Sequence, residues 1–407
     1  MTAEAPAAAT ESLDGIGAAL RRVFDNVRSG DVGALPVVIG LILITIFFQS
    51  KNENFVSAGN FNNLIVQMAG VTLIAMGVVF VLLIGEIDLS VGFLSGLAGV
   101  IAAKLQIPDG SWQMNGIVAI LVAVAVGSAI GAFQGSFVAL IGVPSFVVTL
   151  AGLLAWQGVV QKVIGEQGVI VIEDKWINDT ANYFFTDRAG WILAGIASAF
   201  YAFTTLARLI GRRRAGVPTG NVTLAILRVI AFAAIAFFVV AVTNRDRGFP
   251  FAGFLIIVLL VFWTYVATRT TFGRHVYAVG GNAEAARRAG INVARIRIAV
   301  FMISGAMAGL GGVILASRLN SVDLNAGGGT ILLDAIAAAV IGGTSLFGGR
   351  GRVVSALLGA LVIQAIANGI DLVGYSSATK FIVTGCILLA AVTLDTLSRR
   401  RLAATGR

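Results

Sequence analysis

The 407-residue chain has one histidine, one cysteine, six prolines and only 12% charged residues. The lone cysteine, Cys386, lies in an apolar run and excludes an intrachain disulfide and a cysteine metal cluster. The lone histidine, His275, has no companion for metal ligation or acid–base work, so no metal site is expected. The phosphate-loop pattern G-x-x-x-x-G-K-[ST] is absent, which argues against nucleotide hydrolysis by this chain. There is no nucleophile elbow and no zinc spacing. No catalytic residue and no cofactor is implied, and an enzyme is not expected. The charged fraction is half of the roughly 25% usual in soluble domains.

Apolar sequence fills the difference: 57% of residues are hydrophobic, and the mean hydropathy is +0.93. Many runs near 20 residues carry no charge, which marks an all-α, polytopic helical membrane protein. Twelve spans are expected, within a range of 10 to 12, near 34–50, 62–84, 89–105, 115–140, 145–163, 190–208, 221–243, 250–268, 298–316, 330–347, 353–371 and 379–396. The uncharged run 110–161 is too long for one span, and Gly142–Pro144 splits it. Residues 1–33 read as a cytoplasmic tail with a surface helix near 11–28, residues 34–397 as a single transmembrane domain, and residues 398–407 as a cytoplasmic tail. No basic start leads directly into an apolar core, so a cleavable signal peptide is not expected.

The formal charge of +9 would suit nucleic acid, but the bases cluster at span boundaries, so orientation explains them better and no nucleic-acid partner is expected. With the N-terminus inside, 20 of the 29 Lys and Arg face the cytoplasm: Arg21, Arg22, Arg28, Arg208, Arg212, Arg213, Arg214, Arg228, the six arginines from Arg269 to Arg297, Arg350, Arg352, Arg399, Arg400, Arg401 and Arg407. One inner gap gives this no support: Gly85–Asp88 is acidic and has no base.

Four stretches stand out from the apolar background. The first, 269–297, is water-compatible. Asn282 suits the N-cap of a short helix, Ala283 to Ala289, and Gly290 its close. Glu284 in the first turn and Arg287 and Arg288 in the last match the helix dipole. So short a helix is marginal alone and needs a holder, within the loop or on a partner. The second, Gly85 to Gly92, joins two apolar runs with Glu86, Asp88 and Ser90 between them. Carboxylates so close to hydrocarbon need partners or a path to water. Either Asp88 caps a helix starting at Leu89, with Ser90 the alternative cap, or the segment is a broken helix lining a translocation path, together with Asp334. The third, Ile341 to Arg352, is a glycine-rich turn that suits a tight hairpin or a cytoplasmic contact. The fourth, the outer gap 164–190, holds Trp176 and several carboxylates, and reads either as a docking surface or as a solvated loop with interfacial aromatics. Gly127-x-x-x-Gly131 and Gly305-x-x-x-Gly309 read mainly as close helix packing.

Four segments carry a family resemblance: GVTLIAMGVVFVLLIGEIDLSVG (70–92), VPSFVVTLAGLLAWQGVV (143–160), TTFGRHVYAVGGNAEAARRAGINV (270–293) and LDAIAAAVIGGTSLFGGRGRV (333–353). In this order they resemble the membrane permease subunit of bacterial ABC importers for monosaccharides, the ribose/xylose permease family. Glu86 before Ile-Asp-Leu-Ser-Val, and the extra hydrophobic pair at 190–243, resemble the D-xylose branch. Arg350 and Arg352 are more basic than the family pattern. The resemblance implies an inner-membrane permease with cytoplasmic termini, embedded in lipid and paired with a second copy as a homodimer. Its expected partners are a cytoplasmic ABC ATPase and a periplasmic-type sugar-binding protein. Gly281, Asn282, Glu284, Ala285, Ala286, Arg287, Arg288 and Gly290 would form the coupling helix seated in the ATPase. The alternatives are a proton-coupled secondary sugar transporter using the intramembrane carboxylates, and a non-transporting membrane scaffold.

Overall fold

In the computed structural model, residues 35–107, 113–218 and 221–404 are described, and they are helical almost throughout. The expected tail at 1–33, with its helix near 11–28, lies outside the described residues, as do residues 405–407. Eight helices are long and apolar enough to cross a membrane: α2 (Ala58–Leu83), α4 (Gly116–Ser136), α5 (Ser145–Ile164), α7 (Asp187–Arg214), α8 (Val222–Thr243), α9 (Phe251–Arg269), α12 (Val293–Leu319) and α14 (Val354–Val373). Four more have shorter apolar stretches: α1 (Leu35–Lys51), α3 (Val91–Leu105), α13 (Ile331–Ile341) and α15 (Ser377–Ala404, apolar to Ala390). These twelve match the expected spans in order. Three helices lie between them: α6 (Lys175–Asn182), α10 (Thr271–Gly281) and α11 (Ala283–Arg288). A short antiparallel ribbon pairs β1 (Val169–Val171) with β2 (Ser321–Asp323), setting Ile170 opposite Val322.

Contacts between segments distant in sequence group the connections into two ends. At one end the Asn52 side chain donates to the Leu372 carbonyl, Asn60 to Asn368, Asn62 to Asp246 and Asn182 to Asn320, and Gln106 to the Val171 carbonyl. At the other, Gly349 N–H donates to the Leu83 carbonyl and Tyr277 Oη to the Gly351 carbonyl. This is the alternation that twelve crossings require.

The core is built around α2 and α12. Glycine lets their backbones close on the neighbours. A Cβ on Gly305 would overlap the Gly127 carbonyl oxygen, one on Gly131 that of Phe301, and one on Gly312 that of Ser95. The two glycine motifs named above therefore pack on each other inside one chain, α4 against α12. On another face of α12, a Cβ on Gly311 would come within 2.7 Å of the Gly70 carbonyl oxygen of α2. α4 ends in a π-turn (Phe137–Ile141), closed by Gly142 at φ 84°, and Pro144 precedes α5, the split expected from the sequence.

The structure corrects several boundaries. The span expected at 330–347 is only the 11-residue α13, because Gly342 and Gly343 (φ 102°) end it. Eleven residues reach about 16 Å, half of the roughly 30 Å hydrocarbon core. The water-compatible stretch contains a second helix, α10, capped by Thr270 Oγ1 accepting from Gly273 N at 3.2 Å. The outer gap holds β1 and α6, the latter capped by Asp174.

The extra pair α7–α8 packs mainly on itself, and most of its side chains are exposed. Gly190 and Val240 lie side by side at its base. Replacing 191–239 by a short Gly-Ser linker is therefore expected to leave recovery and thermal stability of the detergent-purified protein close to wild type, as differential scanning fluorimetry would read. A collapse of the melting transition would show that the hairpin supports the core.

Candidate functional site

The chain unwinds between α2 and α3. Gly85, at φ 77°, turns it where a residue with a Cβ would be strained, and Gly348 of the late glycine turn packs so close that a Cβ on it would come within 2.9 Å of Gly85 N. The polar side chains of the next five residues reach several neighbouring elements. Glu86 Oε1 lies 3.2 Å from Nη2 of Arg297 on α12. Ile87 N–H donates to Ser145 Oγ at 3.3 Å, at the start of α5. Asp88 is buried; its Oδ1 accepts from Ser90 N at 3.0 Å and Ser90 Oγ at 2.6 Å, and its Oδ2 from Ser304 Oγ of α12 at 2.9 Å. Asp88 is thus not the N-cap of a helix beginning at Leu89. α3 begins at Val91 with Ser90 at its N-cap, and the Asp88 carboxylate both accepts from Ser90 N–H within the turn and fastens the break to a helix more than 200 residues away in sequence. Arg297 also supplies the positive charge missing from the acidic gap.

Ser90 Oγ also lies 3.0 Å from Gln134 Oε1, although its one proton goes to Asp88. Gln134 Nε2 and Trp156 Nε1 are both buried without a partner, on either side of Gly152. Rotating the Gln134 amide by half a turn lets it donate to Ser90 and aims its oxygen toward the indole. Sequence reading passed over Gln134, Trp156, Ser304 and Arg297. The only signal at Gln134 was an amide within an apolar run.

Asp334 sits in the first turn of α13, buried, with Thr330 Oγ1 donating to its Oδ2 at 2.8 Å. No hydrogen bond or ion pair joins it to Glu86 or Asp88. The interrupted elements do touch, however. The Ala326–Gly327 backbone in the loop before α13 presses on Gly92 and Gly96 of α3, so closely that a Cβ on Gly96 would overlap the Ala326 carbonyl.

The short helix α11 is built as its sequence implies. Asn282 Oδ1 accepts from Ala285 N at 2.9 Å. At the other end Gly290 (φ 84°) donates to the Arg287 carbonyl and Ile291 to the Ala286 carbonyl, both at 3.0 Å, which is a Schellman closure. Glu284 pairs with Arg287 at 2.7 Å and Arg288 at 3.3 Å. Ala286 faces the core, whereas Gly281, Glu284, Ala285, Arg287, Arg288, Ala289 and Gly290 are exposed. Ala286 is therefore not on the outer face where a seat for a partner would need it; it is the residue that holds α11 to its own fold. Beside α11, a Cβ on Gly280 would overlap the Leu83 carbonyl oxygen, so α10 rests on the end of α2. Burial raises the Tyr277 hydroxyl above its ordinary range, against the pull of Arg352, which keeps it a neutral donor to Gly351. Among the described residues no group of three or more His, Cys, Asp or Glu is placed to hold a metal ion.

Residues 60–392 match the family of the branched-chain amino acid transport system permease component. The xylose transport system permease protein XylH of Escherichia coli K12 is 37% identical over 381 residues, 93% of this chain and 95% of that protein. XylH of Haemophilus influenzae is 35% identical over 378 residues, 93% of this chain and 100% of its own length. The ribose import permease protein RbsC of Escherichia coli K12 is 34% identical over 361 residues, 88% of this chain and 92% of that protein. No solved structure matches the chain. The chain is a multi-pass membrane protein; like these relatives it is a transport permease subunit and not an enzyme, and it belongs to this family of transport-system permease components.

Proposed function

We propose that the protein is the permease subunit of an ATP-driven importer that carries a monosaccharide, of xylose-like size, across the bacterial inner membrane. The observation that carries this is α11: a fully capped helix with Ala285, Ala289, Arg287 and Arg288 outward, in a chain that has no nucleotide site of its own. The names of the relatives support the sugar. In this reading α11 seats in a cytoplasmic ATPase, a binding protein delivers sugar to the end bearing α6 and the ribbon, and two permease copies enclose the path. Glu86, Asp88, Ser90 and Asp334 line that path at the two interruptions. Proteoliposomes holding the permease and its ATPase, supplied with binding protein and radiolabelled D-xylose, test it. Uptake must require both ATP and the ATPase; uptake driven by a proton gradient without the ATPase would instead establish a secondary transporter.

Two further outcomes are expected. Orientation follows the arginines, so Trp176→Cys reacts with an impermeant thiol reagent in intact cells while Arg287→Cys does not; the reverse pattern would overturn the sidedness. Asp88→Asn keeps the protein folded, because the Ser304 hydroxyl turns to accept from the new amide, and most uptake survives. Asp88→Leu instead strands Ser90 and Ser304, at about 1–3 kcal/mol for each buried group left unpaired. A folded but inactive Asp88→Asn would assign the carboxylate charge itself to the path.

A further inference from the structure

We propose that Arg297 is a positioning residue whose ion pair with Glu86 transmits movement of α11 to the interrupted helix, with the Ser304–Asp88 hydrogen bond as its second tie. This rests on the importer reading above, in which α11 meets the ATPase.

The connection from α11 to α12 has no slack. Only four residues, Ala289 to Asn292, separate the two helices. Their backbone is closed on one side by the Ile291–Ala286 and Gly290–Arg287 hydrogen bonds, and on the other by Asn292 Oδ1 accepting from Arg295 N at 3.0 Å. Rotation of α11 is therefore carried into the first turns of α12, where Arg297 lies. Between Val293 and Leu319 α12 is uninterrupted, has no proline, and spans about 40 Å as one rod.

Both polar ties end on the break; elsewhere on α2 and α3 the rod meets backbone, at Gly70 and Ser95. Arg297 and Glu86 are about one-quarter and one-seventh exposed (27% and 15%), too buried for an ordinary surface pair. Their contact joins Arg297 Nη2 to Glu86 Oε1 at 3.2 Å. Arg297 Nε is buried without a partner, so the pair uses part of its capacity and has room to close to the two-pronged form that guanidinium and carboxylate favour. Seven residues on, two helical turns along the same face, Ser304 holds Asp88. A small turn of α12 therefore moves both carboxylates together, whereas the Ile87–Ser145 bond holds the same loop to α5. The break is strung between a helix joined to α11 and one that is not.

The test uses the complete transporter in proteoliposomes and reads three quantities: co-purification of the ATPase, binding-protein-stimulated ATP hydrolysis, and D-xylose taken up per ATP. The first variant is the double Glu86→Gln, Arg297→Gln, which leaves no buried charge unpaired. It is expected to retain the ATPase while uptake per ATP falls about tenfold, within the range of coupling losses from such contacts. The charge exchange Glu86→Arg, Arg297→Glu is expected to recover a substantial part of that loss. Unchanged uptake per ATP in the double Gln variant would overturn the proposal, as would a proportional fall in hydrolysis and uptake, which marks a merely structural pair. A folded charge-exchange variant that recovers nothing would also count against it. Wild-type permease that binds no ATPase would overturn the importer reading and this proposal with it, whereas a wild type that couples alongside a double Gln variant that couples equally well would overturn this proposal alone.

Discussion

Gly131→Leu is expected to abolish recovery of folded permease from membranes, while Gly195→Leu is expected to be silent. Gly131 faces backbone: its Cβ would overlap the Phe301 carbonyl oxygen of α12, and Met302 Cα stands at 3.2 Å. Overpacking typically costs about 1–3 kcal/mol when side chains can shift. Here the obstacle is the spine of the central helix, which is held from its other sides by Gly70, Ser95 and Ser304 contacts, so the cost lies at or beyond the top of that range. Gly195 on α7 has nothing within 4 Å of its Cβ. Fluorescence-detected size-exclusion chromatography of tagged variants compares them directly. A monodisperse Gly131→Leu peak at wild-type height would mean that α4 and α12 are not as close as the structure places them.

Ala285→Trp is expected to eliminate ATPase co-purification and sugar uptake without altering the permease itself. Ala285 is exposed on α11, and only its backbone is committed, its N–H to Asn282 Oδ1 and its carbonyl to Ala289 N–H. An indole there blocks a close seat, and the ATPase should bind at least about 100-fold more weakly, or about 2.7 kcal/mol. Ala289→Trp should act alike. Ala286→Trp should fail differently, at folding, because Ala286 is buried against the core. The discriminating measurement pairs co-purification with the thermal melt of the permease alone. A stable Ala285→Trp permease that still retains its ATPase would remove α11 from the interface.

How much of this was legible beforehand depends on the range of the interactions. α11 was legible almost to the residue, because Asn282, Glu284, Arg288 and Gly290 act within one or two turns. The break at Gly85 to Ser90 was legible as a break, because two carboxylates cannot lie unsupported in hydrocarbon. Who supports them was not: Arg297 and Ser304 are more than 200 positions away, and no local pattern points to them. Ala286 reads like its neighbours Ala285 and Ala289, and only the docking of α11 on the core turns one of the three inward. The reading of Asp88 as a cap failed for the same reason. The Asp88 Oδ1 makes the local bond, to Ser90, and its Oδ2 the tertiary one, to Ser304, and sequence shows only the local partner.

By itself, then, the sequence determined that this is a helical membrane protein with twelve apolar segments, and where its chain must turn. These follow from hydropathy, span length and capping, which are properties of neighbouring residues. The tertiary structure alone decided that α12 is the central rod, that α13 is only 11 residues long, and that the two interrupted elements touch. Those depend on glycine backbones meeting across helices and on buried charges finding partners far along the chain, and both are settled by packing rather than by local propensity.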